Sequence, residues 1–157
     1  MSAGEMRRVT AINNGTVIDH LPAGTAMAVL RMLGLDTGRS SPITLAMNVP
    51  SSKLGAKDII KIEDRELTHD ELDRLAIIAP HASVSIIRAY VRAEKREVTL
   101  GEELVNIARC TFSNCITTNP REPLSHRLSV VSEDPLHLRC RYCGRSQDMD
   151  AIVDNLL

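Results

Sequence analysis

Residues 15–34 read Gly15-Thr-Val-Ile-Asp-His20-Leu-Pro22-Ala-Gly-Thr25-Ala-Met-Ala-Val-Leu30-Arg-Met-Leu-Gly34. The first seven have strand composition and stop at Pro22, which has no N–H for a central ladder. Thr25 is placed to cap a helix in which Ala26, Val29, Leu30 and Leu33 fall at i, i+3, i+4 and i+7, and Gly34 ends it. A strand followed at once by a helix with one apolar stripe is the opening half of a two-layer sandwich of helices on a sheet.

The pattern then repeats with a hairpin inserted. Ile43, Leu45, Met47 and Val49 alternate with Thr44, Ala46 and Asn48, a half-buried strand closed by Pro50. A turn over Ser51–Ala56 leads to a short strand, Ile59–Glu63. Thr68 and Glu71 form a T-x-x-E capping box ahead of Leu72, Leu75, Ala76 and Ala79, and Pro80 stops that helix. Residues 84–93 are strand-rich again. The order β-α-β-β-α-β predicts an α+β chain whose N-terminal part is a ferredoxin-like sandwich, one antiparallel sheet with both helices on one face. Arg8–Ile12 offers an edge strand or an arm facing a nucleotide, which periodicity does not decide. Glu94–Glu103, charged and containing Gly101, reads as a linker, so the expected domains are 1–100 and 101–157.

Composition narrows the function. Tyr90, Tyr142 and Phe112 are the only aromatics, too few for the stacking platforms that bind single-stranded nucleic acid. Nineteen Lys and Arg against 20 Asp and Glu leave a net charge of -1, so no global basic field draws in DNA or an anionic membrane. No apolar run approaches the roughly 20 residues of a spanning helix. Residues 1–9 carry charges without a following apolar stretch, unlike a secretory signal. A soluble, cytoplasmic chain is the expectation.

All four cysteines lie beyond residue 109, as Cys110-Thr-Phe-Ser-Asn-Cys115 and Cys140-Arg-Tyr-Cys143-Gly144. Two close pairs separated by a longer loop suit a tetrahedral four-thiolate zinc ion, each pair aiming two sulfurs from one turn. Gly144 tolerates the left-handed backbone that lets N–H groups face those sulfurs. In a reducing compartment such thiols are metal ligands more often than disulfides, and some 54 residues fold poorly without a staple. Four thiolates leave no open coordination position, so the ion is structural. The small part is therefore expected to be a β-rich, zinc-ribbon-like (rubredoxin-like) domain, Leu136, Leu138 and Cys140 sharing one strand face. A thiol oxidoreductase built on Cys140-x-x-Cys143 leaves the other pair unexplained. A zinc-ribbon nucleic-acid-binding adaptor competes by chemistry, since residues 121–145 hold five arginines against three acids. The overall charge and scarce aromatics favour a protein partner for that face.

No phosphate-binding glycine loop, nucleophile elbow or His-Glu-x-x-His motif occurs. Asp19-His20 is the polar pair that stands out, with Lys61 and Lys95 on neighbouring strands. A His and two Lys fit phosphates and a carboxylate fits ribose hydroxyls, though the same residues also suit a solvated surface. A strict strand sends Asp19 and His20 to opposite faces, so convergence requires the strand to end there.

Gly15-Thr-Val-Ile-Asp-His20-Leu-Pro22, Asn48-Val-Pro-Ser51, Gly55-Ala-Lys-Asp-Ile-Ile-Lys-Ile-Glu63 and Leu75-Ala-Ile-Ile-Ala-Pro80, with Cys110-x4-Cys115 and Cys140-x2-Cys143, closely resemble the regulatory chain of aspartate carbamoyltransferase over nearly the whole sequence. The resemblance implies no catalysis by this chain. It implies a homodimer formed through the N-terminal domain, which binds the effectors CTP, ATP and UTP. It implies a zinc domain that grips the catalytic chain, in a holoenzyme of two catalytic trimers and three regulatory dimers controlling pyrimidine biosynthesis. By that match Cys110, Cys115, Cys140 and Cys143 hold the zinc, Asp19 contacts ribose, His20 and Lys95 the phosphates, and Lys61 the ribose or base edge. Backbone groups near Ile12 and Tyr90 read the base, and Val9, Ala11, Ser85 and Ile87 line the pocket. Thr10, Ser85 and Arg92 depart from the family's pattern and bear on which effector is preferred.

Overall fold

The computed structural model describes residues 12–36, 41–121, 123–133 and 135–157. Val9, Ala11 and all of the suggested Arg8–Ile12 strand except Ile12 lie outside the described residues. Residues up to Val98 and residues from Thr99 form two separate compact units.

In the first unit the alternating segments become β1 (Gly15–Pro22), β2 (Ile43–Ser51), β3 (Gly55–Glu63), β4 (Ser83–Arg88) and β5 (Val91–Glu97). Helix α1 (Ala26–Met32) follows β1, and α2 (His69–Ile78) follows β3. The sheet order is β2-β3-β1-β4-β5 with every neighbouring pair antiparallel. Each helix thus connects two strands that admit a third between them, the split βαβ arrangement.

The stretch 84–93 is not one strand but a hairpin, and β5 runs through the first part of the expected linker. Its turn, Ala89-Tyr90, has φ of 52° and 64°, the paired left-handed geometry of a tight hairpin. Such turns ordinarily use Asn or Gly. Here residues 13 and 14 hold it instead: the Tyr90 N–H donates to the Asn13 carbonyl at 2.9 Å, and the Ala89 N–H to Asn14 Oδ1 at 3.2 Å.

The two helices start by different means. At α2, the Glu71 N–H donates to Thr68 Oγ1 at 3.2 Å and the Thr68 N–H to Glu71 Oε1 at 3.0 Å, a complete capping box. At α1, Thr25 occupies the cap position but its hydroxyl donates backwards to the Pro22 carbonyl. The work falls to Asp58 on β3, which is fully buried. Its Oδ2 accepts from the N–H groups of Gly24 (2.9 Å) and Ala26 (3.1 Å), and its Oδ1 from Asn48 (2.8 Å). One carboxylate therefore pins the start of α1 and the bulge of β2 to the middle of the sheet.

Because Asp58 reaches α1, its face of β3 is the helical side. Ile60 and Ile62 share that face, opposite Ile18 and Val84 of the paired strands, and all four are sealed from water together with Val29, Leu75 and Ala76. Gly15 lets β1 lie close to β3: at φ 144°, a Cβ there would sit 2.0 Å from the Ile62 carbonyl oxygen.

The second unit is a three-stranded sheet, β6 (Glu103–Val105), β7 (Arg127–Glu133) and β8 (Leu136–Cys140), in the order β6-β7-β8. A single 3-10 turn covers Ile116–Thr118, and α3 (Met149–Asp154) closes the chain. Its buried apolar residues include Leu104, Ile107, Leu128, Leu138 and Ile152. This is the small β-rich architecture the cysteine spacing suggested, of a size at which a hydrophobic core alone gives marginal stability.

Candidate functional site

In the second unit, Cys110 and Cys115 bracket an irregular loop, while Cys140 ends β8 and Cys143 lies in the turn that Gly144 completes at φ 71°. All four sulfurs lie within 4.8 Å of one another. The pairs Cys110–Cys143 and Cys115–Cys140 are each 3.7 Å apart, and each joins the two segments. A tetrahedral ion with metal–sulfur bonds of about 2.3 Å holds its sulfurs about 3.8 Å apart, so this spacing fits one four-thiolate ion. It is far longer than a disulfide bond, and all four cysteines are free.

The electrostatics point the same way. Burial pushes the Cys110 thiol up to about 12 and raises Cys140 as well. Cys115 is buried too, yet hydrogen bonds from the Thr117 hydroxyl and N–H and from the neighbouring thiols hold it down to about 7. Four thiols this close together, three of them buried, cannot all ionise side by side unless a cation joins them. N–H groups of Phe112, Thr117, Tyr142 and Cys143 face the sulfurs, ready to stabilise thiolate charge. Two side chains to which the cysteine spacing gives no clue complete the setting. Thr117 Oγ1 lies 3.1 Å from Cys115 Sγ, and Gln147 Nε2 donates to Cys110 Sγ at 3.5 Å.

In the first unit, the face opposite the helices gathers the polar residues. Antiparallel register sets Thr44, Lys61, Val17, Ser85 and Lys95 in one row across all five strands. Ser83 stands opposite Asp19 in the adjacent row. Strand β1 does not end at Asp19-His20. It bulges there, with Ile18 opposite Ile60 and Leu21 already opposite Asp58. The extra residue and a φ of 59° at His20 bring the two side chains together. His20 Nδ1 is 3.1 Å from Ser83 Oγ and 3.9 Å from Asp19 Oδ2.

Asp19 is 4% exposed and, among the described residues, hydrogen-bonded through one oxygen only. Its Oδ1 accepts from the His20 N–H at 2.7 Å and pairs with Lys57 Nζ at 3.0 Å. Its Oδ2 is buried with no hydrogen-bond partner among the described residues. Lys57, absent from the expected site, is the buried counter-ion of Asp19. Its position four residues before Lys61 on one face of β3 is the sequence signal for it. Lys61 is buried as well, and burial lowers its pKa from the ordinary lysine value. Burial also lowers the pKa of His20 from 6.5; the Asp19 carboxylate opposes that fall, and Lys57 and Lys53 add to it.

Lys95 and Tyr90 are exposed, Tyr90 to 70%. Arg92 pairs opposite Ile87 because β5 skips a residue between its partners Ile86 and Ile87, which puts Arg92 on the same face as Lys95. Ile12, Val17, Ile59 and Ile87 form an apolar cluster on this side, with Ala46 and Val49 packed against it. This side of the sheet therefore gathers a buried apolar cluster, the buried Lys57 and Lys61, the exposed Lys95, a half-buried histidine and one unsatisfied buried carboxylate oxygen, a set of groups whose chemistry suits an anionic ligand that also carries hydroxyl donors.

Comparison with known proteins matches residues 7–99 to the family model "aspartate carbamoyltransferase regulatory chain, allosteric domain" and residues 102–153 to "aspartate carbamoyltransferase regulatory chain, metal binding domain". The chain is 50% identical over 145 residues to the aspartate carbamoyltransferase regulatory chain of Methanothermobacter thermautotrophicus, covering 92% of each chain. It is 47% identical over 148 residues to the protein of that name in Korarchaeum cryptofilum, covering 94% of each. With the one from Hyperthermus butylicus it shares 43% identity over 156 residues, 99% of this chain and 98% of the relative.

Proposed function

This chain belongs to the family of aspartate carbamoyltransferase regulatory chains, and from that premise we propose that its first unit binds CTP, ATP and UTP and its second holds zinc and docks on the catalytic chain. It is the non-catalytic, regulatory member of the enzyme, with an allosteric and a metal-binding domain.

The observation that carries the effector reading is the buried, unpartnered Oδ2 of Asp19. A buried carboxylate oxygen left without a donor is costly, and a ribose hydroxyl supplies the missing donor. His20 and Lys95 then take the phosphates, and Lys61 meets the ribose or base edge. Ser85 and Ile87 line the pocket with Val9 and Ala11, and the backbone near Ile12 and Tyr90 reads the base. The hydrogen bond from the Tyr90 N–H to Asn13 supports this last assignment, because it brings the two backbone segments side by side.

Zinc is the ion favoured at the four-thiolate centre, since sulfur-only tetrahedral sites select it and it brings no redox chemistry. When bound it supplies a rigid cross-link between two loops; the chain's own contribution is the N–H groups and side chains that orient the sulfurs. Beside Cys110 opens a cleft of about 660 Å³ whose lining includes Arg109, Ser113, Asn119, Leu124 and His126. Phe112 and Ile116 are exposed in the same unit. A mixed apolar and cationic surface of this kind suits a protein partner.

A second copy of the chain pairs through the first unit. The two edges of the five-stranded sheet differ: β5 carries Arg92, Glu94, Lys95, Arg96 and Glu97, while β2 exposes Leu45 and Met47. Charges blunt an edge, and apolar residues invite pairing. Three such dimers join two catalytic trimers in the cytoplasm. No described helix is long and apolar enough to cross a membrane.

A nucleotide shifts such an assembly only by the difference in its affinity for the low- and high-activity states, a coupling of about 1–3 kcal/mol. The test is co-assembly with the catalytic chain and aspartate saturation curves with and without CTP and ATP. Effector-dependent curves are expected; identical curves from a fully formed complex leave this chain a scaffold only.

A further inference from the structure

Gln147 follows the second pair of cysteines by four residues and is 6% exposed, an uncharged amide buried between the two halves of the metal centre. Its side chain can accept two hydrogen bonds and donate two, and every one is made. The Thr111 N–H donates to Oε1 at 2.7 Å and the Thr111 hydroxyl donates to the same atom at 2.8 Å. Nε2 donates to the Arg145 carbonyl at 3.0 Å and to Cys110 Sγ at 3.5 Å. A backbone N–H can only donate, so the amide atom facing Thr111 is the oxygen, and the NH₂ is left for the sulfur and the carbonyl. The Gln147 backbone is fixed independently by its N–H to the Leu138 carbonyl at 2.9 Å. The Arg145 carbonyl also accepts from the Cys140 N–H at 3.1 Å. The amide therefore ties the Cys110 loop to the turn that carries Cys140 and Cys143.

We propose that Gln147 is a positioning residue for the metal: its amide N–H stabilises the Cys110 thiolate and locks the two cysteine loops at the spacing one ion requires. This rests on the reading of the cysteine cluster as a metal site. The two consequences are separable. Donation to sulfur lowers the electron density that Cys110 offers the ion, and the cross-link slows the separation of the loops through which an ion leaves. Outer-shell partners of this kind typically change metal affinity by about 10–100-fold.

The substitution that isolates the donor is Gln147→Glu. It keeps the volume and both Thr111 donors, but it sets a carboxylate oxygen against Cys110 Sγ and the Arg145 carbonyl. Gln147→Met removes the whole network at similar size. Both are made in the full chain, loaded with zinc or with cobalt(II). Zinc release to a chromophoric chelator and competition affinity are measured, together with the sulfur-to-cobalt charge-transfer band. We expect both variants to weaken zinc by about 10–100-fold, Gln147→Glu at least as much as Gln147→Met, and the band to shift in both. A merely structural side chain would leave the band where it is. Unchanged affinity and an unchanged band in Gln147→Glu would overturn the proposal, even if Gln147→Met failed to fold. A wild-type chain whose cobalt spectrum lacks the tetrahedral four-thiolate signature would overturn the metal reading as well, which separates the two failures.

Discussion

The two units of this chain solve the same problem, fixing a functional group in place, with different means. In the first, apolar burial is ample: a sheet covered by two helices seals Ile18, Ile60, Ile62, Val84 and Leu75 from water. That surplus allows polar groups to be buried at the sheet's other face, where Asp19, Lys57 and Lys61 all sit nearly out of reach of solvent. In the second unit a three-stranded sheet and a six-residue helix bury a handful of aliphatic side chains, and four sulfurs converge where a larger domain would place more core. On the proposed reading the first unit devotes a polar face to a ligand, whereas the second relies on its metal ion for stability that its small core supplies only marginally. The proposed function uses both kinds: a face that responds to a small molecule, and a foot that stays rigid while it does.

The largest expected effect breaks this comparison at the metal. Cys115→Ser, or chelation of the wild-type chain, removes a contribution on the order of 10 kcal/mol for structural zinc at neutral pH. The second unit should lose its structure and its grip on the catalytic chain, while circular dichroism and melting of the first unit persist. Full reactivity of all four thiols in the native, metal-loaded chain would contradict it. Next is Asp58→Ala. It leaves three backbone N–H groups without their acceptor, that of Ala26 fully buried, and should cost the first unit roughly 3–5 kcal/mol, read by denaturant unfolding. Zinc content should not change.

A third prediction concerns His20. Its pKa is below 6.5 in the free chain because burial disfavours the imidazolium. A bound triphosphate favours the charged form and raises that pKa, so binding takes up a proton between the two values. Affinity for CTP should therefore strengthen as pH falls from about 8 toward 6 and level off below the free-chain pKa. In His20→Gln the slope should shrink to that of the nucleotide's own titration. The smallest effect is Thr68→Ala, which removes half of the capping box and should cost about 1 kcal/mol in the first unit, with no change at the metal or in effector binding.

What was legible in the sequence was local or chemically specific. The capping box at Thr68 and Glu71 involves residues three apart, and its geometry is as the spacing implied. The cysteines announce themselves because no other residue type brings four soft ligands in two close pairs, and their sulfurs do cluster. What was hidden came from tertiary contact. The cap of α1 comes from Asp58, more than 30 residues downstream, so Thr25 alone misleads. The hairpin at Ala89-Tyr90 lacks turn residues because Asn13 and Asn14 hold it, and β5 consequently resembled a linker. The convergence of Asp19 and His20 arises from a bulge inside β1, a second route to convergence besides a strand end. Lys57 and Gln147 escape notice for the same reason, since each is defined by what it meets across the fold.

The division of labour between a sensing face and a metal-held foot is tested most directly by calorimetric titration of CTP into the zinc-loaded full chain, wild type and Lys95→Ala, with assembly onto the catalytic chain measured in parallel. Lys95 lies exposed at the end of the row that includes Lys61 and Ser85, so its loss should weaken CTP by about 10-fold or more while assembly stays intact. Undiminished affinity, or lost assembly with normal affinity, would contradict the separation of the two roles.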